Sequence, residues 1–548
     1  MRGRSLVAIL GAAGILGLAA ALVVGLTAGE QPETAATAVI IDLPDNPAAL
    51  AATEAQEAES VASLPSGADE SPVELEEAVV PAEPAVPEKL QIVDTVRLKL
   101  NDPALRKGAH PDDLAAAEAF YAAHSGPALW MTTAGLSPEA QSIVAELGRA
   151  DEWGLNASAF AVPPADYQPT VPEDQAAAEV AITLAVLKYA RQARGGRADP
   201  SALSKIVDQK PRLRDPNTVL TEIAAAETPD AYLRELNPKH AQFLLLRQAL
   251  LKARAGESKQ DIKKLLVNME RWRWMPTDLG SLYVWLNSPE FMMYIVKDNK
   301  TIHSEKIVVG KLAYATPVFS ADMKTIVFNP EWTVPPTIVR EDLLPKLRGG
   351  GGLFSSNTAI LKQHGLKVRY NGKLVDAGSI DWKSVNMGAI SFHQAPGPNN
   401  VLGKVKFLYP NKHIVYMHDT IKRDLLNKEV RAEGHNCPRV DNPGKVAAVL
   451  LAEDKGWPTS KVQKLLDDGY DASVALDHHI PVHTTYFTAV ADADGKVRTF
   501  ADVYGLDGAV AAAIDATDAV SPPASTPVAE TAPVPPRKPE GSLAASTP

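Results

Sequence analysis

Cysteine is almost absent from this chain of 548 residues, in which Cys437 is the only one. A single thiol excludes an internal disulfide but does not identify the compartment, since many exported proteins lack disulfides. Basic and aromatic residues are both missing between Glu30 and Glu88, where fourteen acidic residues occur. Such a composition cannot bury enough apolar surface to offset chain entropy. Residues 30–88 are therefore predicted to be a disordered acidic linker, rich in Ala and Pro.

The excess of negative charge is confined to that linker. The chain has a net charge of −11, and removing the fourteen acids of the linker together with Arg2 and Arg4 leaves the rest at +1. A nearly neutral folded part lacks the basic surface that nucleic acids require, so no nucleic-acid partner is expected. The length of the chain allows about two to four domains.

Charged residues are also missing between Ser5 and Gly29, a run that is apolar and follows Arg2 and Arg4. About twenty such residues span a bilayer, so residues 1–29 are read as a signal peptide or a membrane anchor with its positive end inside. The run is longer than a usual signal core and no clear A-x-A cleavage site follows, which favours the anchor slightly. Either reading predicts export to the periplasm or cell envelope.

After the linker, the spacing of apolar residues along the sequence changes once, from a helical pattern to a strand pattern. Residues 89–258 repeat apolar side chains three and four positions apart, as in segment 173–193, which predicts an all-α scaffold domain. Ser137, followed by Pro138 and Glu139, is a predicted helix start. Residues 259–508 contain segments such as 279–310 in which apolar and polar side chains alternate around the turn residues DNK at 298–300, which predicts β-hairpins. Segments 443–457 and 459–469 read as short helices. The expected fold class is α+β, with the helical domain first and a β-rich domain with short helices second.

Three further segments are assigned from composition. The core of the β-rich domain is expected at about 280–460, with an excursion or lid at 341–395. The run RGGGG at 348–352 lacks the GK[ST] of a phosphate-binding loop and is read as a flexible hinge. Residues 509–548, rich in Ala, Pro, Ser and Thr, are read as a disordered tail.

The stretch from Met417 to Arg439 carries the candidate chemistry, because it holds Cys437 together with His418 and His435. A thiol attacks a carbonyl carbon only as the thiolate, and a nearby imidazole is the usual activator. Alternate residues of a strand share a face, so His435 and Cys437 would lie on one side if this segment is extended. His418 would then reach the thiol from a neighbouring strand.

Two other interpretations of this stretch remain open on the residues alone. A lone cysteine is often a small buried apolar residue with no chemistry. A metal site built from His418, Asp419, His435 and Cys437 is also conceivable, although its spacing matches no known finger or protease pattern.

Several stretches resemble the L,D-transpeptidase family with the YkuD-type catalytic domain, in its long YcbB-like form. The resemblance in the β-rich part is carried by VNMERWRWMP, VVGKLAYATPVFS, IVFNPEWTVPPTI, APGPNNVLGKVKFLYPN and IPVHTTYFTAVADADG. In the helical part, FYAAHSGPALWM and WGLN are similar to the scaffold domain of that family. The resemblance covers most of residues 95–505. It is specific because all of these stretches occur together, whereas any single one would be a weak indication.

The catalytic signature of the family is H-D-T followed by S-H-G-C-[IV]-R. In this chain it reads His418-Asp419-Thr420 and then Gly434-His435-Asn436-Cys437-Pro438-Arg439. The His, Cys and Arg positions are kept, whereas Ser, Gly and the aliphatic residue are replaced. Asn is among the residues that tolerate the left-handed conformation open to Gly, so Asn436 is expected to substitute for it. The repeat that often binds peptidoglycan in this family has no room at 253–262.

The resemblance implies a mechanism. Cys437 would attack the carbonyl that joins diaminopimelate to the terminal D-alanine of a stem tetrapeptide. His418 would take the thiol proton and return it to the leaving amine, with its ring oriented by the backbone carbonyl of Asp419. Backbone N–H groups near Asn436 and Cys437 would hold the oxyanion. His435 either hydrogen-bonds near the thiol or is a strand histidine without a role.

The resemblance also suggests substrate contacts and partners. Arg439 would bind a substrate carboxylate or pair with Asp441, and Asn436 and Tyr409 are further candidates for contact with the substrate. The aromatic side chains of Tyr409, Trp332 and Trp382 also fit a core position. Peptidoglycan stem peptides are the expected partners and carbapenems the expected inhibitors. No metal or organic cofactor is implied, and the oligomeric state is left open.

Other functions compete with L,D-transpeptidation. An L,D-carboxypeptidase or endopeptidase would use water in place of the acceptor amine. The altered GHNCPR sequence also suits a weakly active scaffold protein that binds the cell wall. A papain-like or amidase cysteine enzyme is disfavoured, because in those chains the cysteine precedes its histidine.

Overall fold

A computed structural model describes residues 88–349 and 358–519. The predicted anchor or signal at 1–29, nearly all of the predicted linker and residues 520–548 lie outside the described residues. Among the described helices, none has both the length and the apolar character needed to cross a membrane.

The N-terminal part is helical, with one short hairpin. Its elements are α1 (Glu88–Lys99), α2 (Pro103–Gly108), α3 (Pro111–Ala123), β1 (Met131–Thr132), β2 (Gly135–Leu136), α4 (Pro138–Gly148), α5 (Pro172–Gly195), α6 (Pro200–Leu203), α7 (Pro216–Ala225), α8 (Pro229–Glu235), α9 (Ala241–Arg254) and α10 (Ile262–Arg273). Many begin with proline, which is pre-organised for the first helical position. The expected start at Ser137 is confirmed, because its hydroxyl accepts a hydrogen bond from Ala140 N–H.

The helical part is organised around α5. Its Glu179 is fully buried and accepts hydrogen bonds from the Tyr121 hydroxyl and from the backbone N–H groups of Leu129, Trp130 and Met131. Burial raises the pKa of Glu179. These four donors compensate for the burial of the carboxylate, and they fix the segment before the hairpin against the helix.

The C-terminal part is rich in strands. Its strands are β3 (Leu282–Asn287), β4 (Met292–Lys297), β5 (Lys300–Gly310), β6 (Phe319–Phe328), β7 (Trp332–Thr333), β8 (Leu366–Tyr370), β9 (Lys373–Val375), β10 (Ile390–Gln394), β11 (Val405–Leu408), β12 (Met417–His418), β13 (Ala432–Gly434), β14 (Arg439–Val440), β15 (Ala472–Thr485), β16 (Ala489–Ala491) and β17 (Val497–Thr499). Its helices are α11 (Pro336–Ile338), α12 (Leu344–Gly349), α13 (Ala359–Gln363), α14 (Pro443–Lys455), α15 (Thr459–Asp468) and α16 (Leu506–Ala519). The α+β class is confirmed.

One large sheet forms the frame of this part, in the order β13-β5-β14-β12-β11-β6-β15-β3-β4. A further pairing of β4 with β5 closes the sheet on itself. The β4–β5 turn is at the expected position, where Asp298 and Asn299 adopt positive φ angles of 47° and 61°. The interior is filled by buried side chains such as Ile326, Phe328 and Phe407, and by Leu450 of α14.

The chain between β6 and β11 leaves this sheet and folds separately. Strands β7, β10, β8 and β9 make a second sheet in that order, and α11–α13 pack on it around Trp382 and Phe392. We call the described residues between 332 and 394 the insertion. The predicted excursion at 341–395 lies within this region. Of the predicted hinge at 348–352, Gly349 ends α12, and the remaining glycines lie outside the described residues.

Two expectations about secondary structure are corrected. The switch from a helical to a strand pattern was predicted at residue 259, but α10 continues the helical part to Arg273. Its Leu265, Met269 and Trp272 form an apolar face that packs on α9. The predicted tail at 509–548 begins inside α16. That helix buries Val510 and Ile514 against α10, so its alanines are part of a packed helix.

Candidate active site

His418 and Cys437 are brought together by the parallel pairing of two short strands. His418 of β12 is in register with Arg439 of β14, two residues after Cys437. The His418 N–H donates to the Pro438 carbonyl at 3.1 Å. On the other side of β12, His418 is in register with Lys406 of β11. The imidazole and the thiol therefore belong to adjoining segments, as the sequence predicts.

The Cys437 thiol is recessed but still partly exposed. Burial raises its pKa from 9.0 to about 11, while a backbone hydrogen bond from Tyr416 and the charge of Arg439 act in the opposite direction. The desolvation of the thiolate outweighs both stabilising contacts. In this conformation the sulfur is therefore protonated at neutral pH.

The His418 imidazole is buried, with 7% of the residue exposed. Its pKa is lowered to about 3, chiefly by burial and also by the charges of Arg439 and Lys406, whereas the Asp419 carbonyl favours the protonated ring. Its Nδ1 atom has no hydrogen-bond partner of acceptable geometry. No hydrogen bond joins the described side chains of His418 and Cys437. The resting pair is therefore a neutral imidazole beside a neutral thiol.

The Asp419 carboxylate forms hydrogen bonds that hold the local fold together. Its side chain accepts hydrogen bonds from the N–H groups of Lys404 and Thr420 and from the Arg423 guanidinium. Gly403, at φ +61°, allows this approach, since a Cβ there would overlap the carboxylate. Only the backbone carbonyl of Asp419 is directed to the His418 ring, as the resemblance implies.

The loop that carries Cys437 is tied to the segment after β5. The Asn436 side chain donates to the Ala315 carbonyl at 3.1 Å, and the Thr316 hydroxyl donates to the Asn436 carbonyl at 2.8 Å. The backbone N–H groups of Asn436 and Cys437 donate to no described residue. Asn436 does not adopt a positive φ, so the expectation that it substitutes for Gly through the left-handed region is wrong.

His435 makes its contacts with Tyr314 and the insertion, and no hydrogen bond joins it to Cys437 among the described residues. It does not continue β13 as a regular strand, and its ring stacks on Tyr314 at 4.2 Å between centroids. Its Nε2 lies 3.9 Å from the Asp342 carboxylate of the insertion. Tyr314 in turn donates to Glu341 at 2.7 Å. His435 therefore lies between the Cys437 loop and the insertion, and the pKa of its ring is lowered chiefly by burial.

Arg439 has no ion-pair partner among the described residues. The alternative pairing with Asp441 is wrong, because that carboxylate accepts from Arg423 at 2.9 Å. The positive charge of Arg439 instead lowers the pKa of both the Cys437 thiol and the His418 imidazole. Its guanidinium therefore remains available for a carboxylate.

Tyr409 cannot serve as a substrate contact. The residue is only 1% exposed, and its ring packs against Phe319 inside the sheet. The prediction that it binds substrate is therefore wrong. Trp382 is also a core residue, at 1% exposed in the insertion, while Trp332 lies at the edge of the insertion within reach of the Tyr416 hydroxyl.

Comparison with known proteins agrees with this arrangement. Residues 281–454 match the L,D-transpeptidase catalytic domain family, called YkuD. These residues are an L,D-transpeptidase catalytic domain. Residues 115–250 match the Scaffold domain family. A protein of Haemophilus influenzae named "Putative L,D-transpeptidase" is 31% identical over 247 residues, which cover 45% of this chain and 48% of that protein. The chain thus spans about half the length of this relative.

A metal centre does not form from the residues considered above. In the transpeptidase domain the Asp419 carboxylate is bound to its own neighbours and His435 stacks on Tyr314. Across residues 88–349 and 358–519, no group of three or more His, Cys, Asp or Glu side chains could hold a metal ion.

Sequence reasoning missed residues that surround the thiol and the imidazole of the transpeptidase domain. Tyr416 bonds Cys437 through its backbone, and its ring lies 5.9 Å from the His418 ring and 5.8 Å from Lys406 Nζ. Its position two residues before His418 was the available signal, because alternate strand residues share a face. Thr316 gave no such signal, since only the folded chain brings it to Asn436.

Proposed function

We propose that this chain is an L,D-transpeptidase that cross-links peptidoglycan stem peptides through a thioester on Cys437. The observation that carries the proposal is the strand pairing of His418 with Arg439, which holds an imidazole beside the segment of the only cysteine. Export, with residues 1–29 as signal or anchor, belongs to the same proposal.

The first half-reaction makes an acyl-enzyme. The Cys437 sulfur attacks the carbonyl that joins diaminopimelate to D-alanine, and its proton passes to His418. The C–N bond then breaks, and His418 returns the proton to the departing amine of D-alanine. An acid–base residue in this role contributes roughly 10²–10⁴-fold. The Asp419 carbonyl beside the ring favours the protonated imidazole, which supports this assignment.

The second half-reaction transfers the acyl group. The side-chain amine of a second stem attacks the thioester carbonyl, a new amide bond forms, and the C–S bond breaks to regenerate the thiol. Both half-reactions place negative charge on the carbonyl oxygen. The free N–H groups of Asn436 and Cys437 suit that charge, at about 10²–10³-fold per donor.

Substrate binding has to activate the neutral pair. A thiol with a pKa of about 11 and an imidazole with a pKa of about 3 do not exchange a proton readily. A substrate carboxylate paired with Arg439 would remove a positive charge that disfavours the imidazolium but also favours the thiolate, so its two effects on the proton transfer oppose each other. We therefore assign Arg439 a role in binding the stem carboxylate, and assign the activation to the removal of water and the positioning of the carbonyl carbon by the bound substrate.

The proposal is tested by incubating the protein with a carbapenem and with a disaccharide tetrapeptide, followed by mass spectrometry. A covalent adduct on Cys437, and a cross-linked dimer with loss of D-alanine, are expected for the wild type. Cys437→Ser should give neither product, and His418→Gln should lose at least about 10²-fold in rate. His478→Gln, at an exposed histidine, serves as the matched control and should behave as wild type.

The alternatives give different products. Release of D-alanine without a dimer would make the protein an L,D-carboxypeptidase. Cleavage of preformed cross-links would make it an endopeptidase. Wild type indistinguishable from Cys437→Ser in every assay would reject the enzyme and leave the weakly active scaffold that binds the cell wall.

A further inference from the structure

A polar pocket lies where α5, α9 and α10 meet the connection to β3, and none of its lining residues belongs to β12, β14 or the Cys437 loop. It is small and opens to solvent, and its polar lining consists of Arg194, Arg212, His240, Trp272, Arg273 and Thr277. None of the lining residues is acidic. The proposed transpeptidase chemistry uses none of them.

The pocket concentrates positive charge. Arg273 is only 2% exposed, and Arg194 is half-buried, with Nη2 donating to the Thr277 hydroxyl at 2.6 Å. Arg212 is exposed at the mouth and makes no hydrogen bond or ion pair with another described residue. The Glu270 carboxylate acts on Arg273 by charge but accepts its hydrogen bonds from the backbone N–H groups of residues 197 and 198. Glu270 thus offsets part of the Arg273 charge from outside the pocket, and no carboxylate among the lining residues balances Arg194 and Arg212.

Two buried donors in this pocket have no acceptor. The Trp272 indole N–H is unpartnered although the residue is 4% exposed, and the Nε of Arg273 is also unpartnered. Trp272 is held rigidly, because its ring stacks on Trp285 and Phe487. A buried donor without an acceptor is unfavourable, so its presence in a cationic pocket points to a ligand oxygen.

His240 adds one acceptor to these donors. Its Nε2 lies 2.8 Å from the Pro276 carbonyl, which can only accept, so Nε2 carries the proton. The neutral ring then presents Nδ1 as an acceptor, and Nδ1 has no partner. A fitting ligand needs several anionic oxygens together with one O–H group.

We propose that this pocket binds a phosphate group, as inorganic phosphate or a phosphate monoester. A monoprotonated phosphate supplies oxygens for Trp272, Arg273 and the outer arginines, and its O–H can donate to His240 Nδ1. An ionised carboxylate also matches the donors, but it has no O–H group. The lining residues come from scaffold helices and from the connection to the sheet, so the bound phosphate contacts both parts.

The test follows the indole N–H signals of the full chain by NMR after ¹⁵N labelling of tryptophan, with Trp272→Phe assigning the signal. Sodium phosphate is titrated at pH 7, with sodium chloride and sodium acetate at equal ionic strength, and glycerol phosphate as the monoester. Phosphate should shift the Trp272 signal saturably. The Trp382 signal should stay fixed, because its indole already donates to Ala377 at 3.1 Å.

Two arginine variants separate specific binding from general charge. Arg212→Ala removes a charge at the pocket mouth and should weaken phosphate binding by about ten-fold or more. Arg106→Ala removes an exposed charge on α2 and should change the affinity by less than about two-fold. Calorimetry on Trp272→Phe should show weaker binding as well, independent of the NMR reporter.

Several results would overturn the proposal. They are the absence of a saturable shift with phosphate, an equal shift with chloride, or equal affinities for acetate and phosphate. Equal affinities of Arg212→Ala and Arg106→Ala would overturn it too. A glycerol phosphate that fails to bind while inorganic phosphate binds would restrict the ligand to the free ion.

Discussion

In the candidate active site, the pKa values of Cys437 and His418 are shifted so that both side chains are neutral at pH 7. Burial raises the pKa of Cys437 to about 11 and lowers that of His418 to about 3. The same desolvation acts on both, because it disfavours a charged sulfur and a charged imidazole alike. A protonated thiol reacts slowly with alkylating and oxidising agents, because the thiolate is the reactive form.

We expect Cys437 to react slowly with iodoacetamide at pH 7 and faster as the pH rises through 9 and 10. The thiolate is the nucleophile, and a thiol with a pKa of about 11 supplies little of it near neutrality. Mass spectrometry of the modified protein at each pH gives the rate. The unfolded protein in denaturant is the control and should reach its plateau at lower pH. A plateau already present at pH 6 would mean that a thiolate–imidazolium pair is preformed.

The candidate site residues show which of their features could be predicted from the sequence and which could not. The proximity of His418 and Cys437 was implied by the resemblance of their motifs to the family signature, and the pairing of β12 with β14 agrees with it. The burial of Tyr409 did not follow, because an aromatic residue in a strand looks the same whether its face meets core or solvent. The tie between Asn436 and Thr316 joins positions 120 residues apart, which no local pattern reveals.

Among the elements, the segment that follows β5 sets the position of the Cys437 loop. Gly310 donates through its N–H to the Thr316 hydroxyl at 2.9 Å, and that hydroxyl donates to the Asn436 carbonyl. The Tyr504 hydroxyl accepts from Thr316 N–H and donates to the Gly310 carbonyl at 2.7 Å. These bonds connect the end of the chain's β-rich part to the site.

Gly310→Ala should lower stability and reduce formation of the carbapenem adduct. A Cβ at this position would overlap the Tyr314 carbonyl oxygen, so the backbone must move, at a cost of about 1–3 kcal/mol. Differential scanning fluorimetry and adduct mass spectrometry measure the two effects. Gly148→Ala is the matched control, because a Cβ at that end of α4 meets nothing within 4 Å and should leave both unchanged or slightly improve stability. Equal melting temperatures for the two variants would contradict this account.

Helix α16 offers a second comparison at this scale. Ile514→Asp should lower stability by about 3 kcal/mol or more, because it puts a carboxylate into the apolar contact with α10. Ala512→Asp adds the same charge on the exposed side of the helix and should change stability by less than about 0.5 kcal/mol. Melting temperatures measured side by side test the difference. Two equal, small effects would support the original interpretation of this segment as a tail.

The elements that sequence reasoning located best were those with a strong period or a clear cap. Helix α5 and the start of α4 at Ser137 belong to this group. Helix α16 was missed because its alanines resemble a low-complexity segment, although alanine is the best helix former. Only Leu506, Val510 and Ile514, four residues apart, marked its buried face.

For the molecule as a whole, buried histidines make stability depend on pH. His418 and His483 are 7% and 3% exposed, and burial lowers the pKa of both below the usual 6.5. As the pH falls below 6.5, the unfolded chain gains protons at these sites and the folded chain does not. Stability is therefore full above that pH and declines towards acid, for His418 down to about pH 3.

The expected loss is up to about 1.4 kcal/mol per pH unit for each such histidine. Melting temperatures between pH 7 and pH 5 at constant ionic strength measure it. His418→Gln should flatten the decline, whereas His478→Gln, at an exposed position, should reproduce the wild-type curve. A decline that is identical in all three proteins would show that buried histidines are not its source.

The placement of β15 limits how this protein can be recombined with its relatives. The transpeptidase match ends at residue 454, yet β15 begins at residue 472 and lies between β3 and β6 in the large sheet. A chimaera that exchanged only residues 281–454 would place the original β15 between the β3 and β6 strands of the donor, so the side chains that meet across these strands would come from two different sequences. Grafts between homologues should therefore take the last crossing strand with the donor sequence, even though no catalytic group is carried on it.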